Sequence, residues 1–168
     1  MEPFSDKSDA RVVWEIMTHA RVAYDKARWL FLYRCDKNAQ IDILKNACSK
    51  PESESIALLT IDALNKDEQI ELLCPLLQLV IEANIYSEPR PDTIILSLPT
   101  ELVMARIKAC IEVIQQKQDY DEIQNLLSFL QRFNRELAIQ VAHDLTQSSK
   151  QHIRGVGEDC IKELKPES

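Results

Sequence analysis

Leu126-Leu127-Ser128-Phe129-Leu130-Gln131-Arg132-Phe133-Asn134-Arg135-Glu136-Leu137-Ala138-Ile139-Gln140-Val141-Ala142-His143-Asp144-Leu145 reads as two helices joined by a tight turn. Ile123, Leu126, Leu127, Phe129 and Leu130 recur at the three- and four-residue steps that place side chains on one helical face. Leu137, Ala138, Val141, Ala142 and Leu145 repeat that spacing. The polar residues 132–135 separate the two runs, and Asn134 can cap the second by accepting a backbone N–H. The unit is a helix, a polar turn and a helix.

The same grammar extends in both directions. Downstream, Ser148 or Ser149 opens a last helix that stops near Lys165-Pro166. Upstream, a helix starting at Ser8 or Asp9 carries Val13, Ile16, Met17, Ala20, Ala23, Tyr24, Ala27, Leu30 and Phe31 on one long apolar face. Trp14, Trp29, Leu32 and Tyr33 lie partly outside that face. Burial inside the protein is the expectation for this helix, because large exposed apolar patches are uncommon on monomers. Shorter helices follow: one over 38–49, and a second opened by Glu52 or Ser53 after Lys50-Pro51. A third, capped by Asp67, runs through Pro75 to Ala83 and is apolar all round, which marks it as central; Pro75 must kink it or mark a first turn. Residues 85–99 form an internal proline-containing loop with one short apolar piece at 93–98. Ser97, Pro99 and Glu101 announce another helix, and Asp119 or Asp121 caps the helix that enters the quoted hairpin.

Glycine is absent from residues 1–154; only Gly155 and Gly157 occur. Phosphate loops, the dinucleotide fingerprint and tight β-hairpins all lean on glycine, so those classes are excluded. The expectation is one all-α domain over 1–168, with seven to eight helices in antiparallel hairpins and flexible ends at 1–7 and 166–168. The net charge of −7 is uneven: 1–37 sum to +1, 38–85 to −5 and 86–168 to −3. That balance argues against a nucleic-acid partner. The N-terminus lacks the basic and apolar regions of a signal peptide, and no run approaches the roughly 18–20 apolar residues of a membrane span. The five cysteines, widely spaced and without a Cys-x-x-Cys pair, read as reduced, mostly buried thiols. A cytoplasmic protein that does not bind membranes is therefore expected.

Three stretches share the helix–turn–helix pattern, ending at Leu64, Ile111 and Leu145, which are 47 and then 34 residues apart. Helical-hairpin repeats recur at about 34–47 residues. The third stretch, with its leucine-rich first helix, the turn Arg132-Phe133-Asn134-Arg135 and its alanine-bearing second helix, resembles a HEAT repeat. Unequal spacing and the proline loop depart from that family, so a HEAT-like right-handed stack and an irregular helical bundle stand side by side. The resemblance implies a scaffold that grips another macromolecule. Some HEAT-like proteins are lyases or their subunits, so the fold does not by itself decide against catalysis.

Candidates for chemistry are few. His143-Asp144 could hold a divalent metal only with further His and Asp ligands, and the upstream histidine, His19, is distant in sequence. Glu15 and His19 share a helix face in a single copy. Gly155-Val156-Gly157 lies within a predicted helix, where close approach of a neighbouring helix explains it. The acids near Asp67 and Asp119 sit at helix starts and complement the helix dipole. No catalytic residue, metal site or cofactor is assigned. The leading expectation is a non-enzymatic scaffold or adaptor that binds a protein partner, as a monomer or as a homodimer through the first helix. Its contact residues would be Trp14, Trp29, Tyr33, Tyr86 and Arg90, since aromatics and arginine dominate interface energetics. The alternatives are an enzyme or enzyme subunit with a ligand in an inter-helix groove, and an acidic inhibitor that uses residues 52–82.

Overall fold

The computed structural model describes residues 7–82, 88–117 and 119–164, and every regular element among them is an α-helix. In chain order they are α1 (Lys7–Arg34), α2 (Lys37–Cys48), α3 (Pro51–Asp62), α4 (Lys66–Ile70), α5 (Leu73–Ile81), α6 (Pro91–Leu96), α7 (Thr100–Lys117), α8 (Tyr120–Phe133), α9 (Arg135–Leu145) and α10 (Gln151–Leu164). The expectation for residues 1–6 and 166–168 falls outside the described residues.

The sequence pattern counted seven to eight helices, and two local causes account for the ten described. The helix expected to run through Pro75 divides at Glu71-Leu72, leaving Pro75 in the first turn of α5. There its missing N–H costs no intrahelical bond. The piece at 93–98 belongs to a true helix, α6, with Pro91 at its start. Asn65 is the cap of α4, in place of the expected Asp67: its side chain accepts from Glu68 N at 2.9 Å while Glu68 reaches back to Asn65 N. Asp119 and Asn134 cap α8 and α9 as their positions suggested.

No glycine takes a positive φ, so helix ends are satisfied by other means. Gln40, almost fully buried, donates Nε2 to the carbonyls of Phe31, Leu32 and Cys35 at the end of α1. Gln69 does the same for Ile61 and Asp62 at the end of α3. Each glutamine, one helix further on, satisfies carbonyls that a C-terminal glycine turn would otherwise serve.

Contacts group the chain into two units, 1–42 and 43–168, with the boundary inside α2. The first unit is α1 and the opening of α2. In the second, α5 packs on α6, α7 and α8, and α8 packs in addition on α7, α9 and α10. Leu72, Leu73, Leu76, Leu77, Ile107, Ile123, Leu126, Phe129 and Leu130 are buried at this centre. Gly157 faces α9 so closely that a Cβ would lie 2.6 Å from Ala142 O, whereas Gly155 has open space. Close packing thus explains one glycine of the pair and not the other.

The reading of all five cysteines as reduced thiols is corrected at one pair. Cys74 on α5 and Cys110 on α7 are joined by a disulfide with a Cα–Cα separation of 5.1 Å. Cys35, Cys48 and Cys160 are free. Proximity in space, which spacing along the chain does not reveal, brings the two sulfurs together.

Candidate functional site

α1 is 28 residues long, about 42 Å at 1.5 Å per residue. It contains no glycine or proline and carries alanines at 10, 20, 23 and 27. Two (i, i+4) ion pairs brace it, Arg11–Glu15 at 3.2 Å and Arg21–Asp25 at 3.1 Å. Pairs of this kind each add a few tenths of a kcal/mol.

Burial was the expectation for this helix, and the structure overturns it. Of residues 10–34, Leu32 alone is buried, while Val13, Tyr24, Arg28 and Phe31 are half-buried. Trp14 is 68% exposed, Trp29 50% and Tyr33 69%. Trp29 and Tyr33 lie one turn apart with ring centroids 5.5 Å from each other. Val12, Ile16, Met17, Val22 and Leu30 are exposed as well. Helical periodicity marked a face to be covered, but within its own unit α1 has only the start of α2 beside it.

Two bands of exposed positions stand out at ~100° per residue, with Trp14 and Met17 outside both. Ile16, Ala20, Ala23, Ala27 and Leu30 follow steps of four, three, four and three along one side. Val22, Trp29 and Tyr33 lie along another. Sequence reasoning named the aromatics as contact residues and assigned the first band to the interior. The signal that could have separated them is the run of alanines at the centre of the band, which leaves little side chain to bury.

Tyr86 lies outside the described residues. Arg90 is half-exposed, and its guanidinium is committed: Nε donates to Asp92 Oδ1 at 3.1 Å and Nη2 to Oδ2 at 2.8 Å. Arg132 on α8 adds Nη1 to Asp92 Oδ2 at 3.0 Å, and Thr93 N donates to Oδ1 at 3.0 Å. Asp92 itself is buried. Burial opposes its ionisation, but the Arg132 hydrogen bond and the charge and hydrogen bonds of Arg90 outweigh that and hold the carboxyl below its usual range. This cluster ties α6 to α8.

The chemical candidates lie on different helices. His143 and Asp144 are exposed neighbours on α9, and His19 is exposed on α1. Among the described residues no group of three or more His, Cys, Asp and Glu is arranged to hold a metal. A depression of about 540 Å³ is bordered by Glu82, Asp119, Asp121 and Glu122; Asp119 is spent capping α8. Cys48 is a poor nucleophile, its thiol pushed up to about 11 by burial and by the nearby Glu54 charge. No helix among the described residues is long and apolar enough to cross a membrane. Comparison with protein-family models, curated proteins and solved structures finds no match to this chain.

Proposed function

We propose that this chain is a non-enzymatic helical adaptor that binds a protein partner through α1, with Trp14, Trp29 and Tyr33 among the contact residues. The observation that carries the reading is the exposure of large apolar side chains along the whole length of α1. Apolar surface left open on this scale marks an interaction face in a folded protein. Exposed tryptophan and tyrosine are the residue types that anchor such faces, because they bury much area for few rotatable bonds. Residues 43–168 serve in this reading as the body that carries the docking helix. We read that body as an irregular bundle in preference to a HEAT-like stack. The reading rests on α8 packing against α5, α7, α9 and α10, where a stack confines contacts to neighbouring repeats.

The test is affinity capture from the source cell with the wild-type chain and with Trp14→Ser/Trp29→Ser/Tyr33→Ser. All three positions are exposed, so the triple variant keeps its helical circular dichroism. A protein recovered in stoichiometric amount by wild type and lost with the variant supports the proposal. Recovery unaffected by the variant refutes α1 as the contact surface.

A further inference from the structure

We infer that the Cys74–Cys110 disulfide is a redox switch, opened by a dithiol from the Cys74 side while the protein stays folded, and that opening releases the joint between α4 and α5 from α7. Cys74 is exposed, whereas Cys110 is only 2% exposed. Thiol–disulfide exchange needs access of a thiolate to one of the two sulfurs, and at this bond access lies on the Cys74 side. One thiolate of the reductant bonds to Cys74 Sγ; the Sγ–Sγ bond breaks and its electron pair leaves on Cys110 Sγ. The reductant's second thiolate then bonds to its first sulfur and expels Cys74 as a thiolate. The dithiol ends as its own disulfide, two electrons poorer, and the protons it released return through water to the two cysteines. Disulfides open to solvent are the labile and regulatory ones, while sealed ones resist reduction.

The bundle does not rely on this bond alone to hold α5. Leu72, Leu73, Leu76 and Leu77 are buried, as are Ile107 and Ile111 on α7, and α5 packs on α6 and α8 as well. A second link runs beside the disulfide: Arg106 Nη2 donates to a Glu71 carboxylate oxygen at 2.6 Å. Glu71 lies three residues before Cys74, and Arg106 four before Cys110. Both partners are half-exposed, so the pair adds little by itself. The disulfide's particular effect falls on the turn at Glu71-Leu72, where α4 passes into α5. That turn is held by two three-residue-step bonds, Glu71 N to Glu68 O at 3.2 Å and Leu72 N to Gln69 O at 3.0 Å, and Pro75 brings no N–H to it. Opening the crosslink therefore loosens the joint and leaves the bundle standing. Of the three free cysteines Cys35 alone is exposed, so Cys35→Ser leaves Cys74 as the one cysteine a thiol can reach.

The experiment treats the full chain carrying Cys35→Ser with dithiothreitol in native buffer and labels accessible thiols with a light alkylating reagent. The protein is then unfolded, labelled with the heavy form of the same reagent and mapped by peptide mass. Wild type, with Cys35 read on its own peptide, is the parallel arm. Expected are opening without denaturant, an excess of light over heavy label of at least about tenfold at Cys74, and the reverse at Cys110. The helical circular dichroism should persist, and amide exchange over residues 66–77 should quicken by about tenfold or more while α9 and α10 are unchanged. In an unalkylated portion, replacing dithiothreitol by oxidised glutathione should restore the bond. Opening only in denaturant would make the bond purely structural and overturn the switch. Equal light label at both cysteines, loss of the helical signal, unchanged exchange at the joint, a bond that does not return, or two free thiols before treatment would each do the same. None of these outcomes bears on α1, so the docking reading stands or falls separately.

Discussion

Gly155 and Gly157 are two residues apart on one helix, and the structure assigns them opposite roles. Replacing Gly155 by alanine introduces a methyl with nothing within 4 Å. The helix then gains the usual preference of alanine over glycine, about 1 kcal/mol. At Gly157 the new Cβ would meet Ala142 O at 2.6 Å, Leu145 Cβ at 3.1 Å and Thr146 N at 3.2 Å. Two of those atoms are backbone, and Ala142 O is held in place by accepting from Thr146 N. Relief therefore requires α10 to move off α9, loosening Ile153, Val156 and Cys160, which are buried on the same face. Overpacking of this kind costs about 1–3 kcal/mol, and the upper end applies where backbone is the obstacle. Subtracting the helix preference leaves a net loss of about 2 kcal/mol for Gly157→Ala. At about 4 °C per kcal/mol for a body of this size, Gly155→Ala should raise Tm by about 4 °C and Gly157→Ala should lower it by about 8 °C. Thermal melts by far-UV circular dichroism are the right assay. Tryptophan emission is not, because Trp14 and Trp29 both lie on α1, outside the unit 43–168 that holds α9 and α10. Stabilisation by both substitutions would refute the close approach of α10 to α9, and equal destabilisation by both would refute the open space at Gly155.

Three further outcomes follow from the body of the protein. Cys110→Ser removes a crosslink between residues 36 apart in sequence; denaturant titration should show a loss of up to about 4 kcal/mol, and free thiols at both positions in the untreated protein would contradict the bond. Alkylation at pH 8 should label exposed Cys35 first and Cys48 last, since a thiol raised to about 11 holds very little thiolate there. Because the folded value of Cys48 lies above its ordinary value of 9.0, stability from this site is full below pH 9 and is lost as pH climbs towards 11, which pH-resolved melts of Cys48→Ala against wild type will show or refute. Asp92→Asn should cost about 2 kcal/mol, less than a fully buried pair because both arginines are half-exposed; since its folded value is depressed, the wild-type advantage should vanish as pH falls through the carboxylate range, and an advantage that persists in acid would contradict the ion-pair account.

Most of the helical architecture was legible in the chain, and for identifiable reasons. Period-3.6 runs such as Ile123 to Leu130 and Leu137 to Leu145, bounded by Asp119 and Asn134, encode both helix and start signal in adjacent residues. The break at Glu71-Leu72 was half legible: Pro75 demanded an adjustment, but a continuous apolar run concealed where it would fall. Glutamine caps were not legible, because Gln40 and Gln69 act on carbonyls five to nine residues away, beyond any local motif. The Cys74–Cys110 bond depends on α5 meeting α7, which no local pattern encodes. At the candidate site, the aromatics were picked out by residue type. The exposure of the Ile16–Leu30 band was missed because amphipathic spacing says that a face wants a partner, not that the partner belongs to the same chain.

The most direct test of the docking-helix account uses its own reporters. Trp14 and Trp29 are the only tryptophans in the sequence, both on the helix argued to stand open in the free protein. Acrylamide quenching of the purified full chain should show red-shifted emission with both residues accessible to quencher, matching the single-tryptophan variants Trp14→Phe and Trp29→Phe. Blue-shifted emission shielded from acrylamide in both variants would mean that α1 is already covered, and the surface proposed for the partner would not exist.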